Sequence, residues 1–269
     1  MSAADFQPRG GVGLVVADGL ARVTIRRGDR FNALSQESLI GLRDAARALR
    51  TETAAHAVIV HGDPVFTAGA DLKDPAMQTR NALTLLEKRE ALRLGPDMCD
   101  AWAALDQVTI AAIEGFCIGG GVALAAACDF RVMARSSYMR LPEVPLGMNM
   151  SWHTIPRLVA LVGPARAKTL TLFGERLGAD EALGWGLADQ VTDDGRALAE
   201  AETLAAKAAA LPPVAARIAK RAISEASAAL HGATSYADLD QYALASTTAD
   251  HREAVAAFIE KRTPQFKGN

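Results

Sequence analysis

The sequence predicts an α/β core followed by an all-helical tail, and three observations carry that expectation. Strand-like runs alternate with helical periodicity over the first two-thirds of the chain, the pattern that builds a sheet with crossover connections. From Arg196 onward Ala, Leu, Lys and Glu dominate and no strand-like run remains. Two glycine-rich segments, His61 to Pro75 and Ile113 to Asp129, lie where a strand gives way to a helix. The natural division sets residues 1–196 as the core and residues 197–269 as a helical region.

From Leu20 to Arg26, Ala21, Val23 and Ile25 alternate with Arg22, Thr24 and Arg26, the period of a half-buried strand. Asp18-Gly19 supplies the positive φ that a hairpin with Val12 to Ala17 needs. Beyond Ser35, a capping residue, Leu39, Leu42, Ala46 and Leu49 recur three or four apart and predict an amphipathic helix. Ala57 to Val60 is a continuous apolar run, as a strand covered on both faces requires. Lys73 to Leu94 mixes charge with weak periodicity and reads as a more exposed stretch. Val108 to Ile113 is a second apolar strand leading into Gly119, Gly120 and Gly121; an Ala-rich helix over Val122 to Cys128 and a strand over Asp129 to Ala134 follow. The tail, from Ala197, reads as three or four helices broken at Pro212-Pro213 and His231-Gly232, the last capped by a box of Asp250 and Glu253.

Among its 269 residues half are apolar and 22% charged, so a large core can be buried. A net charge of −2 offers no long-range attraction for nucleic acid or an anionic membrane. Neither a nucleic-acid nor a membrane partner is expected, and no apolar stretch approaches the ~20 residues that span a bilayer. Cys99, Cys117 and Cys128 lack paired spacing and read as reduced core residues. The first residues carry no secretory or presequence pattern, so a cytoplasmic location is expected.

The chemistry concentrates at the two glycine turns. A helix N-terminus presents N–H groups without intrahelical partners, and glycine lets a ligand approach them without meeting a Cβ. Gly120 stands at such a start; if the N–H of Ala70, after Gly69, converges on the same point, the pair forms an oxyanion hole. Glycines at strand-to-helix turns also serve packing alone. No Gly-Lys-Ser/Thr follows, which excludes a P-loop, and the spacing of a dinucleotide fingerprint is absent.

The run FTAGADLKD at Phe66 to Asp74, the run AAIEGFCIGGGVALAAACDFRVM at Ala111 to Met133, and LPEVPLG at Leu141 to Gly147 together resemble the crotonase (enoyl-CoA hydratase/isomerase) family. RFNALS from Arg30 and AFIEKRTPQFKGN at the C-terminus extend the resemblance over nearly the whole chain, in the family's order. The resemblance implies a spiral of ββα turns forming two roughly perpendicular sheets. It also implies that residues 197–269 mediate assembly into a trimer or dimer of trimers. It implies an acyl-CoA substrate, with coenzyme A as part of that substrate and no separate cofactor or metal. Ala70 and Gly120 then supply the oxyanion donors, while Lys73, Lys261 and Tyr242 contact the CoA nucleotide, the latter two reaching a neighbouring subunit's ligand. Substrate contacts are implied along the motifs at Arg30, Phe31, Ala68, Asp71 and Leu72, and at Ala123, Trp152 and His153 around the acyl pocket; Asp71, like Asp129, also reads as a turn-fixing or capping residue.

A hydratase of this family uses two glutamates. Glu143 matches the one that manages the α-carbon proton, but Ala123 stands where the other would help activate water. One carboxylate in apolar surroundings still suffices to move a proton between two carbons, and burial raises its pKa toward the working pH. Its alternatives are capping an N–H or pairing with Arg140. The bulky run from Met148 to His153 should reshape the acyl pocket. His153 is either a second titrating group or a hydrogen-bonded packing residue, and its spacing from Ser151 does not support a hydrolase dyad. His56 and His61 have no metal-ligand spacing. Met77, Leu83, Leu85, Leu86 and Met98 are candidates for an acyl-chain tunnel or for ordinary core. The carboxylate count favours isomerisation of a 3-enoyl to a 2-enoyl thioester. Hydration of a 2-enoyl-CoA and acyl-CoA binding without turnover are the alternatives.

Overall fold

The computed structural model describes residues 2–28 and 31–269, the side chains of 77, 78 and 81 excepted. Its first elements are the hairpin strands β1 (Val12–Ala17) and β2 (Leu20–Ile25), joined through Asp18 and Gly19, both at positive φ. Helix α1 (Gln36–Leu49) follows, with Ser35 Oγ accepting the Ser38 N–H at 3.2 Å as its cap, and then strand β3 (Ala57–Gly62). Helices α2 (Pro75–Gln78), α3 (Leu85–Leu92) and α4 (Leu94–Ala103) lead to β4 (Val108–Ile113) and β5 (Phe116–Ile118). Next come α5 (Gly120–Ala127), β6 (Phe130–Ala134), β7 (Tyr138–Arg140) and α6 (Thr154–Lys168), then β8 (Leu177–Gly178), α7 (Ala179–Trp185) and β9 (Gln190–Thr192). The remaining elements are helical: α8 (Ala197–Ala209), α9 (Pro213–Ala228), α10 (Gly232–Ser235), α11 (Asp238–Ala245) and α12 (Ala249–Glu260).

One sheet runs β1-β2-β3-β4-β6-β9, parallel throughout except for the hairpin; the other runs β5-β7-β8. The apolar runs of β3 and β4 are explained by cover on both faces. Val58, Val60, Ala111 and Ile113 point into the main core with α1, α4 and α5, while Ala57, Ile59, Ile110 and Ala112 point to the opposite side. There Ala197, Ala201 and Ala205 of α8 close over them, small enough to bring helix and sheet into contact. The first helix of the tail is therefore part of the sheet's own packing. The buried Arg131 of β6 is satisfied by the carbonyls of Leu187 and Cys128 and by Asp189, as a buried charge requires. The three cysteines are free and buried, and burial pushes the thiols of Cys99 and Cys128 up to about 12.

The cap of α12 differs from expectation. Thr248 accepts the His251 N–H at 3.0 Å, so the cap lies two residues before Asp250, the start of the expected box. Asp250 instead accepts the N–H groups of Lys267 and Gly268, and Glu253 accepts that of Gln265. These carboxylates hold the C-terminal segment back against the helix and are not free to cap it. Among the described residues no helix is long and apolar enough to cross a membrane.

Candidate active site

The two glycine turns are tied together by backbone. Thr67 pairs with Cys117 as a parallel bridge, its N–H donating to Phe116 O at 3.1 Å while Ile118 N–H donates to Thr67 O at 3.2 Å. Gly69 then passes so close that a Cβ on it would lie 2.6 Å from Ile118 O, and its φ of +83° is one that glycine adopts freely.

Ala70 bridges Leu34, but the hydrogen bonds run through its neighbours: Leu34 N–H to Gly69 O at 2.7 Å and Asp71 N–H to Leu34 O at 3.0 Å. A parallel bridge of this kind turns the N–H of Ala70 itself away from Leu34, and no acceptor takes it among the described residues. Gly120 is the first residue of α5, so its N–H has no intrahelical acceptor, and no side chain caps it. Ala70 and Gly120 line one cleft, together with Glu143.

Glu143 sits on the loop after β7, its carbonyl accepting Met148 N–H at 2.8 Å. Its Oε1 stands where a Cβ on Gly119 would come within 2.5 Å, so a side chain there would displace the carboxylate. The Oε2 is enclosed and has no hydrogen-bond partner among the described residues, although the residue as a whole keeps an opening to the cleft. Burial pushes this carboxyl up to about 7, against the opposing pull of its own N–H and of Arg140. The alternative ion pair is not made: Arg140 turns its Nε to Gly174 O at 2.7 Å. Ala123 lies fully buried on α5, in the core and outside the cleft lining.

Trp152 takes the space at the start of α5. Its ring carbon Cζ3 lies where a Cβ on Gly120 would come within 2.3 Å, and its Nε1 where one on Gly95 would come within 2.1 Å. Both Trp152 and His153 adopt left-handed φ, +65° and +54°, a conformation that needs external support. Support comes from Asp238, which accepts the Ser151 hydroxyl at 3.0 Å and the His153 N–H at 2.9 Å. Arg157 adds two bonds from Nη1 to the carbonyls of Trp152 and His153. The His153 ring faces Asp100 at 3.0 Å, outside the cleft, and that hydrogen bond holds its pKa above the usual value despite burial. The geometry is that of the hydrogen-bonded packing residue.

The other expected contacts divide. Leu72 and Tyr242 line the cleft. Tyr242, on α11, was expected to serve a neighbouring subunit; here it faces the cleft of its own chain, its hydroxyl 3.3 Å from Met148 Sδ, because α11 packs back against α3 and Arg89 pairs with Asp240. Phe31 is 60% exposed and packs edge-on against Phe116, and Ala68 donates its N–H to Phe31 O; neither lines the cleft. Asp71 fixes the turn, accepting from Arg27 Nη1 and Lys73 N–H. Lys73 and Lys261 are exposed outside the lining, Lys261 as the left-handed cap of α12. Arg30 and the Met77 side chain lie outside the described residues. Of the other tunnel candidates, Leu83, Leu85 and Leu86 are exposed and Met98 is core. The apolar lining comes instead from Leu39, Ala91, Leu92, Met148 and Met150, with Gly95. Arg80, also in the lining, carried no signal that set it apart from the other arginines of an exposed stretch.

A model of the enoyl-CoA hydratase/isomerase family matches residues 16–269. The crotonyl-CoA hydratase of Syntrophomonas wolfei is 34% identical over 249 residues, covering 92% of this chain and 94% of that protein. The short-chain-enoyl-CoA hydratase of Clostridium acetobutylicum is 31% identical over 90% of this chain and 92% of its own. Among solved structures, an enoyl-CoA hydratase from Mycobacterium avium subsp. paratuberculosis superposes with a TM-score of 0.85 at 28% identity, over 97% of this chain and all of that one.

Proposed function

The chain belongs to the enoyl-CoA hydratase/isomerase family, and from that premise we propose that it isomerises a 3-enoyl thioester of coenzyme A to the 2-enoyl form, with Glu143 as its single proton carrier. One observation carries the reading: an enclosed carboxylate with an unpartnered oxygen shares its cleft with two unoccupied backbone donors, while no second carboxylate stands on α5.

In this reading Glu143 takes the proton from C2 of the 3-enoyl chain. The electron pair delocalises onto the thioester oxygen, which lies against the N–H groups of Ala70 and Gly120. Each such donor is worth ~3–4 kcal/mol to a developing enolate. The protonated Glu143 then returns its proton at C4, and the double bond ends conjugated with the carbonyl. A carboxyl raised to about 7 suits both halves, since it accepts and releases a proton near neutral pH. Ala123 provides no group to activate water, and the ring of Trp152 against Gly120 favours a dry site. Hydration of a 2-enoyl-CoA is the second reading, favoured by the hydratase names of the relatives.

Purified protein mixed separately with 3-enoyl-CoA and 2-enoyl-CoA, followed by thioester absorbance, separates these readings. We expect conversion of the 3-enoyl substrate, with a rate that rises with pH to a plateau above about 7, because the ionised carboxylate is the reactive form. Glu143→Gln should lower it by roughly 100-fold or more. Faster hydration of the 2-enoyl substrate would reverse the order of the two readings. Turnover indifferent to Glu143→Gln would remove the mechanism, and tight binding without turnover of either substrate would leave an acyl-CoA carrier.

A further inference from the structure

Among the described residues, two enclosed side-chain polar atoms without hydrogen-bond partners lie in the cleft, and they carry opposite charges. One is Oε2 of Glu143, already discussed; the other is Nε of Arg80. Of the other polar side chains of the lining, Ser151, Asn149 and Tyr242 are occupied. Ser151 donates to Asp238, Asn149 Nδ2 to Gln241 at 3.3 Å, and the Tyr242 hydroxyl to Met148 Sδ. Arg80 makes no ion pair among the described residues. Asp74 exerts an electrostatic pull on it, but the Asp74 carboxylate is taken by the N–H groups of Gln36 and Ala76. A guanidinium stays charged under all ordinary conditions and is costly to enclose without a counter-charge. Burial correspondingly pulls its pKa below the usual value.

We infer that Arg80 receives an anionic oxygen group of the ligand, and that this group is a carboxylate at the far end of the acyl chain. The inference rests on the cleft being an acyl-CoA site. A thioester also carries phosphates on its nucleotide, so position must decide between the two sources. Tyr242, Arg80 and Glu143 line one cleft and Tyr242 feels the charge of both, which favours the acyl end of the thioester as Arg80's partner. The phosphates belong to the other end of the thioester. The charge that acts on Glu143 is Arg140, so Arg80 is free to serve the ligand without setting the proton carrier. The planar fork of a guanidinium also matches a carboxylate with two parallel hydrogen bonds. The substrate class this assigns is the ω-carboxyacyl thioester, and Leu39, Ala91, Leu92, Met148 and Met150 supply apolar lining to suit its methylene chain.

Calorimetric titration with saturated, unreactive thioesters tests this without requiring either isomerisation or hydration. The ligands are the straight-chain acyl-CoAs from butyryl to octanoyl and the matching ω-carboxylates from succinyl to suberyl. The wild-type chain is expected to bind the ω-carboxylate about tenfold or more tightly than its neutral counterpart at the best-fitting length. Arg80→Gln should abolish that preference while leaving the neutral series within about twofold, and Arg80→Lys should keep part of it. The unchanged neutral series also serves as the control for folding. No preference at any length in the wild type would overturn the inference. An equal loss for both series in Arg80→Gln, absent with thioesters of pantetheine, would assign Arg80 to a nucleotide phosphate and overturn it as well. Failure of every thioester to bind would remove the acyl-CoA reading itself, and this inference with it.

Discussion

At Glu143, burial that serves reactivity also acts on stability, and the sign follows from the direction of the shift. Its carboxyl titrates at about 7 in the fold against an ordinary 4.5, so the folded chain keeps a proton that the unfolded chain releases. The stability this gives is whole below about 4.5 and is lost as the pH rises through about 7. Glu143→Gln removes the ionisable group and keeps the shape. Near pH 8 it is expected to be more stable than wild type by up to roughly 3 kcal/mol, a difference that shrinks to nothing in acid. Thermal melts of both proteins across that range measure this directly, and parallel curves would mean that the carboxylate is not dehydrated. Gly119 and Gly120 complete the residue scale: a methyl at either would strike Glu143 or Trp152, so each glycine holds open a contact made by the site.

At the scale of elements, the loop between β7 and α6 is shaped from outside itself. Two consecutive left-handed residues, Trp152 and His153, are held by Asp238 at the start of α11 and by Asp100 on α4. Asp100 also accepts from Arg157; burial would raise its pKa, but its bonds to His153 and Arg157 win and hold it below the usual value. Asp238→Ala removes the acceptor for both the Ser151 hydroxyl and the His153 N–H inside a buried setting. It should cost about 2–4 kcal/mol and lower the Tm by several degrees. Because Trp152 hangs on this loop, its fluorescence should report the loosening before global unfolding. A variant that melts like wild type with unaltered emission would show that the loop holds its shape without α11.

The whole molecule leaves apolar side chains uncovered on its helical tail. No residue of α9 is buried, and Val214 and Ile218, four apart, are 70% and 66% exposed. Ile223, Leu230, Leu244, Phe258 and Ile259 add to this surface on the same stretch of chain. Apolar area of that extent calls for a partner surface, and symmetric self-association is the commonest way to provide one. Light scattering is expected to give a trimer or a dimer of trimers of the 28.3 kDa chain; a monomer at working concentration would contradict it.

Local pattern determined much of this protein. Alternation specified β2 and the Asp18-Gly19 turn its partner β1, continuous apolar runs specified β3 and β4, and helical spacing behind Ser35 specified α1, because each is set by a few consecutive residues. The glycines at 69 and 119–121 and the resemblance around Glu143 pointed to the cleft, since close backbone approach leaves a mark in sequence. The second sheet was not legible from periodicity: strands of two or three residues are too short to show one. The lining drawn from Leu39, Arg80 and Gly95 was decided only by tertiary structure. These residues belong to separate elements, and whether a charge among them is enclosed or left unpaired depends on chain brought in from far along the sequence.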